Sequence, residues 1–215
     1  MTYVSWAALY EGATDQAYFE LLIPRVMEDL VMRCGIRQST IPPAPSVTLR
    51  RGPAEKVAEQ ACGAKDGFLL VFIHADTGGR NLESGLPERS AGYCEAMHAL
   101  CEWPPVRCIT ILPRHETEAW ALADPQAVTD SLGYRGSPAA IGLPADAIEA
   151  ERVANPKEVL AAAVRHVRGR RRAFDVKQIF PAIAQRQSLD SLRRSRSFAS
   201  FEASLLAALA DVGCV

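Results

Sequence analysis

Over its first half the chain alternates short apolar runs with longer amphipathic stretches, and then the apolar runs stop. Residues 3–10, YVSWAALY, are β-branched, aromatic and small apolar types and predict a buried strand. Thr14 is placed to cap a following helix whose apolar positions Tyr18, Leu21, Leu22 and Val26 recur at helical spacing. Asp15 in its first turn complements the helix dipole, and Pro24 predicts a kink or a restart. After the loop IPPAP, the segment SVTLRR (46–51) predicts a strand and 53–64 a helix. GFLLVFIHAD (67–76) is the most apolar run of the chain and has the length of a central parallel strand. A polar loop, TGGRNLESGLP (77–87), a helix over 88–102 and the strand RCITILP (107–113) complete the alternation.

Strand and helix in turn predict an α/β domain over 1–125, with a mostly parallel sheet flanked by helices. From about 125 the pattern changes to helices at 156–169, 175–187 and 198–211, a basic helical extension spanning 126–215 with SLDSLRRSRS as a linker. In the helix from 156, Leu160, Val164 and Val167 mark the buried face, while Arg165, Arg168 and Arg172 run along another and continue into RGRRR.

Charge sharpens this division. The 215 residues carry a net charge of −1, yet residues 151–200 hold twelve Lys/Arg against four acids, a local +8 that leaves −9 elsewhere. Such asymmetry suits a polyanionic ligand near bound cations. No apolar stretch approaches the roughly 20 residues of a membrane span, and the N-terminus lacks the basic region and cleavage site of a signal peptide, so the chain reads as cytoplasmic. The six cysteines contain no CxxC pair and read as reduced thiols. Cys94, His98 and Cys101 share one face of the 88–102 helix and read as core positions before a metal site.

Candidate chemistry lies at the strand ends, where ligands collect in parallel sheets. Glu11, Asp15, Asp76 and Glu118 place carboxylates at or just past the ends of three strands. Hard divalent cations take such oxygens, usually from one or two carboxylates, with water or phosphate completing the shell. An acid that ends a strand as apolar as VFIHAD is costly unless it has a purpose. No GxxxxGK[ST] occurs, which excludes P-loop hydrolysis of ATP, and HETE (115–118) is not the HExxH of a zinc protease, although His115 and Glu116 could support the site. Trp120 reads as packing beneath the acids. Arg80, in TGGR, is a candidate bidentate phosphate donor.

YEGATD after the first strand, the acidic end of LLVFIHAD, and PRHETEAWALADP after a later strand resemble the Toprim fold, in particular the small Toprim-like proteins of the overcoming-lysogenization-defect nuclease group. Downstream, NPKEVL, IFPAIA, LDSLRRSRSF and FEASLLAAL resemble the C-terminal helices of a stand-alone bacterial family in that group, whose members mostly lack an assigned function. The resemblance implies a metal-dependent nuclease using Mg²⁺ or Mn²⁺. Glu11 would be the first-strand catalytic glutamate, Asp15 the acid at the helix start, Asp76 the acid of the Asp-x-Asp element and Glu118 the acid before the tryptophan. Beside such a site, Arg80 and the basic stripe of Arg165, Arg168 and Arg172 are expected to hold nucleic acid.

One position departs from the pattern: His74-Ala75-Asp76 stands where Asp-x-Asp is usual. Imidazole ligates Mg²⁺ poorly, so His74 shifts the metal preference toward Mn²⁺ or Zn²⁺, serves as a catalytic acid/base, is structural, or marks a degenerate site. The resemblance further implies a separate ATPase partner and a part in anti-phage or anti-plasmid defence, and it leaves room for a homo-oligomer. The competing expectation is a non-catalytic subunit whose Toprim scaffold binds a partner protein or nucleic acid.

Overall fold

Parallel pairing organises the molecule. A computed structural model describes residues 2–35, 38–76, 90–169 and 178–215. The expected loop at 77–87, with Arg80, and the run around Arg172 lie outside the described residues. Six strands are present among them: β1 (Thr2–Tyr3), β2 (Trp6–Leu9), β3 (Ser39–Thr40), β4 (Val47–Leu49), β5 (Leu70–His74) and β6 (Cys108–Ile111). The main sheet has the order β4-β2-β5-β6, every pair parallel, and β1 pairs separately with β3.

The helices are α1 (Ala13–Cys34), α2 (Ala54–Gly63), α3 (Gly92–Cys101), α4 (Thr117–Ala121), α5 (Pro125–Leu132), α6 (Ala147–Ala150), α7 (Pro156–Arg168), α8 (Phe180–Arg186), α9 (Leu189–Arg193) and α10 (Arg196–Asp211). The protein is therefore α/β, a mostly parallel sheet flanked by helices. No helix among the described residues is long and apolar enough to cross a membrane.

Strands β2 and β5 are buried throughout because both faces of the sheet are covered. Their side chains alternate between two cores. Trp6, Ala8, Leu70 and Phe72 face one, and Ala7, Leu9, Val71 and Ile73 face the other. The second core is closed by α2 and α3 through Val57, Ala61 and Met97. The first is closed by Tyr18, Phe19 and Leu22 of α1 together with Phe180, Phe198, Phe201 and Leu205 from the C-terminal helices, so the helical extension shares its core with the sheet.

Several expectations change. The strand expected at 3–10 is two strands, with only 6–9 in the main sheet. Helix α1 is capped by Gly12 rather than Thr14, and it runs unbroken through the buried Pro24. SLDSLRRSRS is no linker: Ser188 caps α9 by accepting from the Ser191 N–H, and Ser195 caps α10 by accepting from the Phe198 N–H at 3.2 Å. These caps stand on a buried carboxylate. Glu151 accepts from Ser195 Oγ at 2.6 Å, from the backbone N–H of Ser197 at 2.8 Å and Arg196 at 3.1 Å, and from the Ser197 hydroxyl. Trp120 Nε1 donates to the same Ser197 Oγ at 2.7 Å, joining this cluster to α4.

The expectation of reduced thiols is also corrected, because Cys62 pairs with Cys101 and Cys94 with Cys108 as disulfides. Each bridge joins α3 to an element distant in sequence. His98 points its Nδ1 at the Trp103 carbonyl, 3.1 Å away, so Cys94, His98 and Cys101 do not form a metal site. Cys34 is exposed and Cys214 buried. Mass spectrometry after alkylation should find one labelled cysteine in the native protein, two after unfolding without reductant, and all six after reduction. Six labels without reductant would show the bridges absent.

Candidate carboxylate site at the sheet edge

All four main strands run in the same direction, so the loops after β2, β5 and β6 leave from one edge. The strand order also reverses there. From β2 the chain passes to β4 on one side, then crosses to β5 on the other, which makes the gap between β2 and β5 the switch point of the sheet. Open parallel sheets bind ligands at this place. Glu11 follows β2 by two residues, and Asp76 follows β5 by two.

His74, the last residue of β5, ties the edge together. Its side chain is fully buried and its ring lies 4.6 Å from that of Phe19. The Glu11 backbone N–H points at Nδ1 from 3.5 Å. Nε2 lies 3.2 Å from Thr117 Oγ1 and 3.3 Å from Asp76 Oδ1. Thr117 donates its single hydroxyl proton to Asp15 Oδ1 at 2.7 Å, so its oxygen is an acceptor toward the ring. The network therefore assigns the proton to Nε2, with Nδ1 accepting. Asp15 Oδ2 lies 3.9 Å from Nδ1. A carboxylate in place of His74 would add a third negative group to Asp15 and Asp76 in a buried place, whereas the imidazole adds no negative charge and turns its Nε2–H toward Asp76. With both nitrogens engaged by protein, His74 orients the acids around it.

Gly12 has φ −156°, extended backbone open to any residue, so a tight turn is not its purpose. A Cβ there would stand 3.2 Å from Asp15 Oδ2, and the glycine clears room for that carboxylate. After β6 the chain makes a γ-turn: the Glu116 N–H donates to the Arg114 carbonyl at 3.0 Å around His115, whose φ is +69°. Such turns are rare and strained. This one starts α4 and brings Thr117 and Glu118 to the edge.

Glu118 is buried, and its carboxyl is pushed up to about 7. Burial is the main cause; its own backbone N–H opposes, Glu116 and Asp76 add to the rise, and Lys157 opposes it. Hence Asp76 and Glu118, expected together from sequence, do feel one another, and Lys157, at the start of α7, lowers the Glu118 carboxyl through its charge. Arg165 and Arg168 lie eight and eleven residues further along that helix, about 12 and 16 Å from Lys157 along its axis. Arg165 is paired with Glu158 at 3.8 Å. Among the described residues, Lys157 acts on Glu118 through its charge, and Arg51 Nη1 donates to the Glu11 backbone carbonyl at 2.5 Å.

No three His, Cys, Asp or Glu side chains among the described residues are grouped to hold a metal ion by themselves. The donors are nevertheless hard carboxylate oxygens, and the buried Glu118 is under pressure from its acidic neighbours. They fit a hard cation taking one or two protein oxygens with the remainder from water or phosphate, and they do not fit a closed, all-protein cage. Thr117, Lys157 and Arg51 were not singled out for the site by sequence reasoning. Lys157 stands in the NPKEVL motif, which was the available signal for it. No protein-family model, curated protein or solved structure matches the chain.

Proposed function

We propose that the protein is a Toprim-like, metal-dependent nuclease that hydrolyses phosphodiesters of DNA or RNA. The observation that carries this reading is the position of Glu11, Asp15, Asp76 and Glu118 just beyond the strand ends at one edge of a parallel sheet, beside its switch point. One or two oxygens from Glu11, Asp15 and Asp76 would hold Mg²⁺ or Mn²⁺, with water and phosphate completing the shell. The cation, when bound, supplies polarisation of the phosphoryl oxygen and an acidified water. Thr117 fixes the orientation of Asp15 by a hydrogen bond, and His74 places its Nε2 against both Thr117 Oγ1 and Asp76 Oδ1. Glu118, with its carboxyl near neutrality, is poised to exchange a proton with a water or a leaving oxygen. Lys157 offsets the negative charge at Glu118. Arg165 and Arg168 would meet the nucleic acid beyond the reacting phosphate. By resemblance, the protein acts in the cytoplasm with a separate ATPase, against phage or plasmids.

Calorimetric titration with Mn²⁺ and Mg²⁺ tests the site. The parent should bind, and Glu11→Ala and Asp76→Ala should each weaken binding at least tenfold, about 1.4 kcal/mol. A parent that binds neither ion would sink the catalytic reading.

A second reading, the non-catalytic subunit, is favoured by His74 in place of a carboxylate and by the lack of a three-ligand group among the described residues. Incubation of plasmid, single-stranded DNA and tRNA with Mn²⁺, alone and with the ATPase, separates the two. Cleavage lost in Asp76→Ala supports the nuclease, whereas binding of nucleic acid or partner without cleavage supports the subunit.

A further inference from the structure

We propose that Arg51 is a phosphate-binding residue of this site, gripping a backbone phosphate of the nucleic-acid substrate on the β4 side of the carboxylates. The proposal rests on the phosphodiester reading above and gives it a direction, since it puts the substrate strand across the ends of β4 and β2.

The sheet register decides where Arg51 stands. Leu49 at the end of β4 pairs with Leu9 at the end of β2, so residues 50 and 51 leave the sheet alongside Tyr10 and Glu11. Their backbone is pinned from below. Gln60 of α2 accepts from the Arg50 N–H at 2.9 Å and donates to the Arg50 carbonyl at 3.1 Å, and Tyr93 of α3 donates to the Gly52 carbonyl at 3.2 Å. Such two-sided anchoring leaves the turn little freedom, while Arg51 itself is exposed.

What the guanidinium bonds to matters as much. Arg33, Arg107, Arg193 and Arg194 each close an ion pair with a carboxylate and are neutralised in place. Arg51 instead donates one N–H to the Glu11 carbonyl, and among the described residues it meets no carboxylate at ion-pair distance. A carbonyl orients the group without cancelling its charge. The rest of its planar fork of donors remains suited to the two oxygens of a phosphodiester. A negatively charged strand approaching the carboxylates needs a fixed cation beside them, and this one is linked to Glu11 by a direct bond.

Fluorescence anisotropy of labelled single-stranded DNA and RNA of one sequence, with Ca²⁺ in place of Mn²⁺ to prevent turnover, tests this over a range of salt. Arg51→Gln is expected to weaken binding about tenfold and to reduce the slope of log affinity against log salt by about 0.7, the loss of one phosphate contact on a single strand. Arg51→Lys should restore the slope, since the charge is kept, while recovering only part of the affinity. Equal weakening of DNA and RNA identifies the phosphate as the group gripped. A parent that binds while Arg51→Gln matches it in affinity and slope overturns the proposal and leaves the nuclease reading intact. Weakening with an unchanged slope also overturns it, because it assigns Arg51 to holding the Glu11 loop alone. Should the parent bind neither strand, with Mn²⁺ as well as with Ca²⁺, the phosphodiester reading falls and this inference with it.

Discussion

Replacing Glu151 by alanine is expected to destabilise the protein by about 1.5–3 kcal/mol at pH 7, the scale of hydrogen bonds to a charged group lost from a buried place. The carboxylate gathers two serine hydroxyls and two backbone N–H groups where α10 begins, and its removal leaves those donors without their acceptor. Trp120, held by Ser197, loses its positioned partner in the same step. Burial alone would raise the Glu151 carboxyl, but the bonds from Ser195, Ser197 and Arg196 outweigh it and hold the group below the usual glutamate range. The sign follows from that depression. Its stabilisation is present above the ordinary glutamate value and is lost as pH falls through the lower folded one. Urea unfolding at pH 7 and in mild acid checks both parts. A variant within about 1 kcal/mol of the parent at pH 7 would show that solvent replaces the carboxylate at little cost.

Glu118→Gln should do the opposite, and by a pH-dependent amount. The raised carboxyl costs nothing below its ordinary value of 4.5, where it is neutral in both states, and the penalty grows as pH rises toward about 7. Above that the folded protein carries a buried charge worth about 3 kcal/mol, from the interval between the two values. In EDTA, the glutamine variant should therefore match the parent near pH 4 and exceed it by up to about 3 kcal/mol at pH 8. Unfolding curves at the two pH values measure it. An equal difference at both would mean that something other than ionisation separates the two side chains.

Much of the sheet was legible because a central parallel strand has only one kind of neighbour. LVFIH is buried at every position and apolar at all but His74 since both its faces are covered, and the acid two residues beyond it could be located from sequence alone. The helices α4, α5, α6 and α9 were missed for a physical reason: four to eight residues make about one or two turns, too few for a periodic signal to rise above a loop. The disulfides were hidden because each joins elements brought together only by the fold, at separations of 39 and 14 residues. In the site, the acids were visible through their position at strand ends. Thr117 and Arg51 were not, because a threonine's single proton and an arginine's partner are decided by what stands opposite in space. His74 was visible as an exception, and only the bonds at both its nitrogens show how a histidine fits among acids.

The joint between α1 and the C-terminal helices bears on how the protein is made. Tyr18 of α1 donates to Gln187, which in turn donates to the Trp120 carbonyl, and Arg25 donates to the Ala184 and Gln187 carbonyls. These partners are up to 169 residues apart, so the helix that carries Asp15 leaves the ribosome long before its cover does. At about 5–20 residues per second the wait is roughly 10–30 s, during which the apolar side of α1 is exposed in the nascent chain. Contacts this distant also slow the final closure, because the connecting chain must be ordered before they form. A ribosome that stalls before residue 180 would therefore hold a nascent chain with the acids of the sheet edge already synthesised and the support behind α1 still missing.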